Sequence, residues 1–121
     1  MAIPSGSGTE VLKRNYFLYT TAESEVTLIT GVANHIYTVL SVVFTNRNAS
    51  LTDIKSYLYV DYNAGGTDLY LLETPLGISE SFVWNDKFVL TGTDKLHAIS
   101  ASSAGTAQVD IWCSYIDQDW T

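Results

Sequence analysis

Short apolar and aromatic runs, cut by turn residues at nearly regular spacing, constrain this chain more than any other feature. No stretch repeats apolar residues at i, i+3, i+4 and i+7 over good helix formers, which an amphipathic helix would require. β-branched and aromatic residues dominate the runs instead, and Gly, Asn, Asp and Ser bound them, as is typical of strands. We predict nine strands, at residues 15–20, 25–30, 36–46, 54–62, 67–73, 80–84, 87–90, 95–101 and 107–116.

The strongest turn signal is "DYNAGGTD", which lies between two runs of alternating character. Gly65 and Gly66 can take the positive φ that tight hairpin turns need. Asp61 and Asp68 flank this turn and are interpreted as turn residues rather than as a catalytic carboxylate pair. "SSAGTA" after Ala101 is a second hairpin signal.

Side-chain alternation assigns faces to the last predicted strand. Successive residues of a strand point to opposite sides, so one face is predicted to be core, and it carries Val109, Ile111, Cys113 and Tyr115. Trp112 then lies on the opposite, polar face as a large outward aromatic. Nine short strands without a helix predict an all-β fold, an antiparallel β-sandwich with the jelly roll as the favoured arrangement. An immunoglobulin-like sandwich ranks second, because a single cysteine cannot form its inter-sheet bridge.

Composition limits the partners. The chain has 121 residues, which fits one domain, and 13 Asp and Glu against six Lys and Arg give a formal charge of −7. Nucleic acid is therefore not expected as a partner, because phosphate binding needs clustered cations. No apolar run reaches the length of a transmembrane helix and no signal peptide is visible, so we expect no membrane partner and synthesis in the cytoplasm.

The first fourteen residues differ from the rest, and we predict an extended N-terminal arm at residues 1–14 before a β-sandwich domain at residues 15–121. Ser and Gly at 5–8 give flexibility, and the arm carries apolar anchors and two cations for docking. A cloning remnant or linker is the alternative interpretation. The candidate interface residues are Ile3, Pro4, Val11, Leu12, Lys13, Arg14 and the outward Trp112.

Catalytic constellations are not supported by the sequence. His35 and His97 are the only histidines, too few and too far apart for the metal site of a jelly-roll enzyme. Cys113 alternates inward and is interpreted as a small buried hydrophobe, and no Ser nucleophile motif or phosphate loop is present. We predict no enzyme activity, no metal and no cofactor, with a jelly-roll enzyme as the least favoured alternative. His97 is considered as a solvent-facing, pH-sensitive group.

Aromatic side chains offer a second kind of site. Tyr57, Tyr59, Trp84 and Trp112 could form a platform on which sugar rings stack. The simpler interpretation is that these residues fill the core or a subunit interface, since aromatic anchors also dominate interfaces.

Several motifs together resemble a pattern of small tailed-bacteriophage virion proteins. The matching segments are "YLYV" at Tyr57–Val60, the turn Gly65–Gly66, "YLL" at Tyr70–Leu72, "SFVWNDKFVL" at Ser81–Leu90, "GTDKL" at Gly92–Leu96, "VDIWCSYID" at Val109–Asp117 and the lead Ile3–Arg14. The resemblance covers most of the chain and points to jelly-roll capsid decoration (cement) proteins.

What the resemblance implies is a structural virion protein that binds the outer surface of the major capsid shell and stabilises it. Proteins of that kind are typically trimers, so the expected partners are the major capsid protein and two further copies of this chain, and the expected location is the virion surface. The alternative is a host- or glycan-binding module of a phage tail, fibre or head knob.

Overall fold

A computed structural model describes residues 9–21, 24–48, 54–102 and 106–120, and this part of the chain contains nine strands and no helix. All nine predicted strands are present, with ends that differ by a few residues at most positions. The strands are β1 Thr9–Thr21, β2 Val26–Thr30, β3 His35–Asn46, β4 Ile54–Tyr62, β5 Thr67–Leu76, β6 Ser81–Trp84, β7 Phe88–Thr91, β8 Lys95–Ala101 and β9 Thr106–Asp119. Within these ranges no helix is long and apolar enough to cross a membrane.

The strands form two antiparallel sheets. Sheet A has the order β1-β9-β3-β6, with β7 also paired to β3, and sheet B has the order β2-β8-β4-β5. Because β6 and β7 pair with successive stretches of β3, they act as one interrupted strand. Counted so, eight strands divide into two four-stranded sheets, and the chain crosses between the sheets at every connection except β4 to β5. This is the connectivity of a jelly roll, and the predicted fold class is confirmed.

The core lies between the sheets and follows from alternation along each strand. Val42 and Phe44 of β3, Leu58 of β4, Leu96 of β8 and Ile111 of β9 are all at most 1% exposed. The inward face predicted for β9 is confirmed, since Val109, Ile111 and Cys113 are buried and Tyr115 packs against the core. Burial of this apolar surface supplies the main driving force for the sandwich.

The predicted start of the first strand at Asn15 is wrong. β1 begins at Thr9, and Thr9–Arg14 pair in register with residues 114–119 of β9. The sequence hides this extension because Glu10–Arg14 show no period-two alternation of apolar and polar residues, and the pairing partner lies about a hundred residues away. Residues 1–8, with the candidates Ile3 and Pro4, lie outside the described part of the chain, so an arm at these positions stays a prediction.

The β4–β5 hairpin is confirmed, although its strained positions differ from those expected. Positive φ occurs at Asn63, Ala64 and Gly66 and is absent at Gly65. The Asp61 carboxylate accepts a hydrogen bond from the Gly66 N–H at 2.8 Å, which supports its interpretation as a turn residue. The second predicted hairpin turn falls at residues 103–105, outside the described residues.

Candidate interaction surfaces

The outer face of sheet A carries a large group of apolar side chains, although it faces away from the core. Its central row crosses four strands in register: Tyr16 of β1, Trp112 of β9, Val43 of β3 and Val83 of β6. Tyr16 is 59% exposed, Val83 is 53% and Trp112 is 45%, and the Tyr16 and Trp112 rings stack with centroids 5.7 Å apart. An antiparallel sheet with one solvated face normally carries polar residues on that face. An exposed apolar row of this kind is typical of a surface that binds another protein.

Further rows extend the same surface. Beyond a row that holds Arg14, Ser114 and Ser41, the residues Leu12, Ile116 and Val89 extend the surface in one direction. Leu18, in a row with Asp110 and Thr45, extends it in the other. We call this surface the apolar face; it comprises Leu12, Tyr16, Leu18, Leu40, Val43, Val83, Val89, Trp112 and Ile116. Trp112 was predicted to point outward, and the structure confirms this orientation.

Two shallow depressions flank Trp112 on the apolar face. One, of about 380 Å³, lies between Tyr16, Leu18 and Val43, and the other, of about 400 Å³, lies between Leu12, Arg14 and Leu40. Large side chains of a partner could enter both, since interface anchors pack into such depressions on either side of a central aromatic.

Arg14 is the cation of the apolar face. Its guanidinium lies 5.4 Å from the Tyr16 ring centroid and 5.1 Å from that of Trp112, within the range of a cation–π interaction. Arg14 forms no salt bridge with any residue that the structure describes, so the two rings are its main contacts. A guanidinium is weakly hydrated and stacks well on aromatic rings, which lets it sit in an otherwise apolar surface.

The outer face of sheet B has the opposite character. Lys55 and Glu73 form an exposed ion pair at 2.9 Å across β4 and β5, and Asp61 lies between Asp68 and Lys95 in the register. The outer face of sheet B also exposes Tyr70, by 58%, so it differs from the outer face of sheet A by its charged pairs rather than by a lack of aromatic side chains.

The predicted aromatic platform does not form. Tyr57 and Tyr59 belong to sheet B, whereas Trp84 and Trp112 belong to sheet A. Tyr59 is only 1% exposed, because Tyr70 stacks on it at 5.0 Å and its hydroxyl donates to the Glu25 carboxylate.

Within sheet A the two tryptophans also lie on different faces. Trp84 pairs with the buried Val42 and packs against the core, while Trp112 points outward. Tyr59 and Trp84 are therefore covered, Tyr57 is part-exposed beside Tyr70, and no common surface joins the four.

The second candidate surface is the free edge of β1. This strand occupies the end of sheet A, and among the described residues only β9 pairs with it. The predicted interface residues Val11, Leu12, Lys13 and Arg14 all lie on this edge strand and are exposed, Leu12 by 71%. A long edge strand with unpaired main-chain groups is a template for a strand of another chain.

An ion-pair cluster fastens the first half of β1 to its neighbours. The Lys13 ammonium donates to Asp117 of β9 at 2.8 Å, and Nδ1 of His35 in β3 lies 2.7 Å from the other oxygen of the same carboxylate. Burial of Asp117 opposes its ionisation, but the hydrogen bonds from Lys13 and His35 outweigh that effect and lower the pKa of Asp117 below its ordinary value of 3.8. Three strands are thus joined at one carboxylate.

The two histidines and the cysteine, which were candidates for catalytic chemistry, lie in separate positions of the sandwich. His97 is 5% exposed and pairs with the Thr27 hydroxyl at 3.0 Å, so the expectation of a solvent-facing His97 is wrong. It lies in sheet B, whereas His35 lies in sheet A. Cys113 is fully buried, as predicted, and burial raises the pKa of its thiol to about 12. Across the described ranges, no group of three or more His, Cys, Asp or Glu could hold a metal ion.

Sequence reasoning found Trp112 but missed most of the apolar face. Tyr16, Leu18, Val43 and Val83 come from three other strands, and only the register between strands shows that they are neighbours. One local signal was available. Alternation within β6 places Phe82 and Trp84 on the core side and therefore Val83 on the outer side.

No protein-family model and no curated protein matches this chain. Among solved structures, a protein of Bacillus endospore appendages, which form disulfide-linked pili, is 13% identical with a TM-score of 0.54, over 100% of this chain and 97% of that one. The core of Drosophila NLP, described for pentamer formation and histone binding, is 16% identical with a TM-score of 0.50, over 86% and 96%.

A viral chain is also similar. A pentameric capsid protein from metagenomic phage sequences is 15% identical with a TM-score of 0.43, over 87% of this chain and 61% of that one. At these identities the first two likenesses support the fold alone, and the third is too distant in structure to carry an argument.

Proposed function

We propose that this chain is a structural virion protein, a capsid decoration or cement protein that binds the outer surface of the major capsid shell and stabilises it. The jelly roll, the motif resemblance to tailed-phage virion proteins and the acidic, catalytically plain composition all support this role. The expected location is the capsid surface, and the protein acts as a homotrimer made in the host cytoplasm.

The free edge of β1 is the observation that carries the proposal. The edge runs over thirteen residues, exposes Val11 and Leu12, and continues from residues 1–8, which the sequence predicts to be an arm. A strand of the shell that pairs with this edge would form main-chain hydrogen bonds, while the exposed Val11 enters a pocket of the shell.

Three copies would strengthen such an attachment. When three edges on one trimer face the shell together, the second and third contacts become intramolecular, and avidity exceeds the affinity of a single edge by orders of magnitude. Shell binding can therefore be tight although each edge offers only a small area.

The test is co-sedimentation of the purified full chain with expanded capsid shells that lack it. We expect stoichiometric binding, loss of binding on removal of residues 1–8 or with Val11→Glu, and retention with Tyr62→Glu, which places the same charge on an exposed site of sheet B. Removal of residues 1–8 leaves the whole of β1 in place, so the sandwich is preserved.

Two results would contradict the proposal. Equal binding of shells by the truncated and Val11→Glu proteins would show that the β1 edge is not the contact. Failure of the wild-type chain to bind shells, together with specific binding on a glycan array, would favour the host- or glycan-binding alternative.

A further inference from the structure

We infer that the apolar face of sheet A is the surface through which copies of this chain associate with one another. The apolar face consists of outward side chains of sheet A, whereas the proposed shell contact uses the main chain of β1 and Val11, so self-association does not depend on binding to a shell. Its occupant is a second copy of this chain, and in the proposed homotrimer each apolar face meets the neighbouring copies around the three-fold axis.

The size of the face matches a subunit interface. Six of its side chains are 45–71% exposed, namely Leu12, Tyr16, Leu18, Val83, Val89 and Trp112. At roughly 100 Å² each, about half of what a large side chain buries, they offer on the order of 600 Å² of apolar surface. The partly exposed Leu40, Val43 and Ile116 and a polar rim bring the face near the ~800 Å² that each partner contributes to a stable interface.

Charge favours this face for contact between identical acidic chains. Each copy carries a formal charge of −7, so association requires a surface where like charges do not meet. On the apolar face Asp110 is neutralised by Arg47 at 2.7 Å, and Arg14 contributes a positive charge held over Tyr16 and Trp112. Association through the outer face of sheet B would instead bury several charged side chains, including Asp61, Asp68 and the Lys55–Glu73 pair.

Shape gives a third reason. The central row crosses all strand positions of the sheet without an intervening charge, so the face is a broad, shallow surface with Trp112 near its middle. Such a surface fits another sheet face rather than a small molecule, since sheets pack face to face through interdigitating side chains. The chain itself provides a partner of equal size and equal chemistry, with an aromatic anchor at the centre of each copy.

The experiment is sedimentation analysis of the full chain at micromolar concentration. The wild type is expected to sediment as an oligomer, at two or more times the monomer mass of 13.3 kDa. Trp112→Glu and Val83→Glu place an unpaired charge in the contact and are expected to raise the dissociation constant roughly a hundredfold, which leaves monomers. Tyr62→Glu adds the same charge to sheet B and is the matched control, expected to keep the wild-type mass.

Circular dichroism and thermal melting establish that each variant is folded. Val83→Thr keeps the β-branched shape on an exposed strand position, so it retains the fold even if a Glu variant does not, and it is expected to weaken association several-fold. A monomeric wild type would overturn the inference, including the case where it binds shells as a monomer. So would an oligomer whose mass is unchanged by all three apolar-face variants. Loss of shell binding with Val11→Glu but an unchanged oligomer would separate the two surfaces.

Discussion

Replacing Asp117 with Asn removes the charge that joins β1, β3 and β9. The Asp117 side chain is 7% exposed. One carboxylate oxygen accepts a hydrogen bond from the Lys13 ammonium, and the other lies 2.7 Å from Nδ1 of His35. Asn fills nearly the same volume, but it keeps one acceptor oxygen and turns an N–H donor toward the second partner. The substitution therefore tests the cluster without opening a cavity.

The expected loss of stability is about 2 kcal/mol. A hydrogen bond to a charged group contributes about 1.5–3 kcal/mol, and Asp117 forms two. The Lys13 side chain is 45% exposed, so solvent screens its share to below about 1 kcal/mol, while the His35 side chain is 17% exposed and retains more. For a domain of this size we expect Tm to fall by roughly 6–12 °C, at about 3–6 °C per kcal/mol.

Acid dependence provides a second signature. The folded-state pKa of Asp117 lies below the ordinary value of 3.8, so the unfolded chain takes up the proton first as pH falls. The stabilisation of the folded state by the Asp117 charge is fully present above about pH 4, and it is lost as pH falls through the folded-state pKa of Asp117. The difference in stability between wild type and Asp117→Asn should therefore shrink in acid as Asp117 becomes protonated.

Urea unfolding of both proteins at neutral and acidic pH measures these quantities. Asp110→Asn is the matched control, because Asp110 pairs with Arg47 at an exposed site, 45% and 37% exposed, and should change stability by less than about 0.5 kcal/mol. Equal effects of the two substitutions at neutral pH would contradict this role of Asp117. So would a stability difference between wild type and Asp117→Asn that stays the same from neutral to acidic pH. Either result would mean that the first half of β1 is not fastened through Asp117.

Three further substitutions or reactions test the core and one close approach. Phe44→Ala, at a fully buried site, should lower the unfolding free energy by about 3–5 kcal/mol in urea titration, and a loss below about 1 kcal/mol would contradict the packing described. Gly31→Ala should cost about 2 kcal/mol or more in the same assay, because a Cβ would lie 2.3 Å from the carbonyl oxygens of Gly92 and Asp94; an unchanged midpoint would contradict this approach of the two loops. The Cys113 thiol should react with a thiol reagent only at the rate of unfolding, and rapid labelling in native buffer would show that β9 is not buried there.

The sequence predicted the nine strands because each strand carries its own local signal. Alternation in β9 placed Val109, Ile111 and Cys113 inward and Trp112 outward, and the structure confirms all four. The jelly-roll arrangement followed from the number of strands and the absence of helical periodicity, which are also local properties.

What could not be predicted depends on contacts between distant strands. The first half of β1 pairs with β9 and is fastened to β3 through Asp117, and none of these partners is visible from Val11 or Lys13 alone. Tyr59 lies on the outer side of sheet B, on the same face as Tyr57, yet Tyr70 stacks on it and Glu25 accepts its hydroxyl hydrogen bond. The aromatic platform failed for this reason, and the apolar face escaped notice because its members come from separate strands.

An electron cryomicroscopy map of particles produced from the genome that encodes this chain would show whether it is a decoration protein on a capsid. We expect jelly-roll density on the outside of the shell, in clusters whose subunits meet through the face around Trp112, with the β1 edge against the major capsid protein. Density for this chain at a tail or fibre tip, or a bare capsid surface in particles that contain the chain, would contradict it.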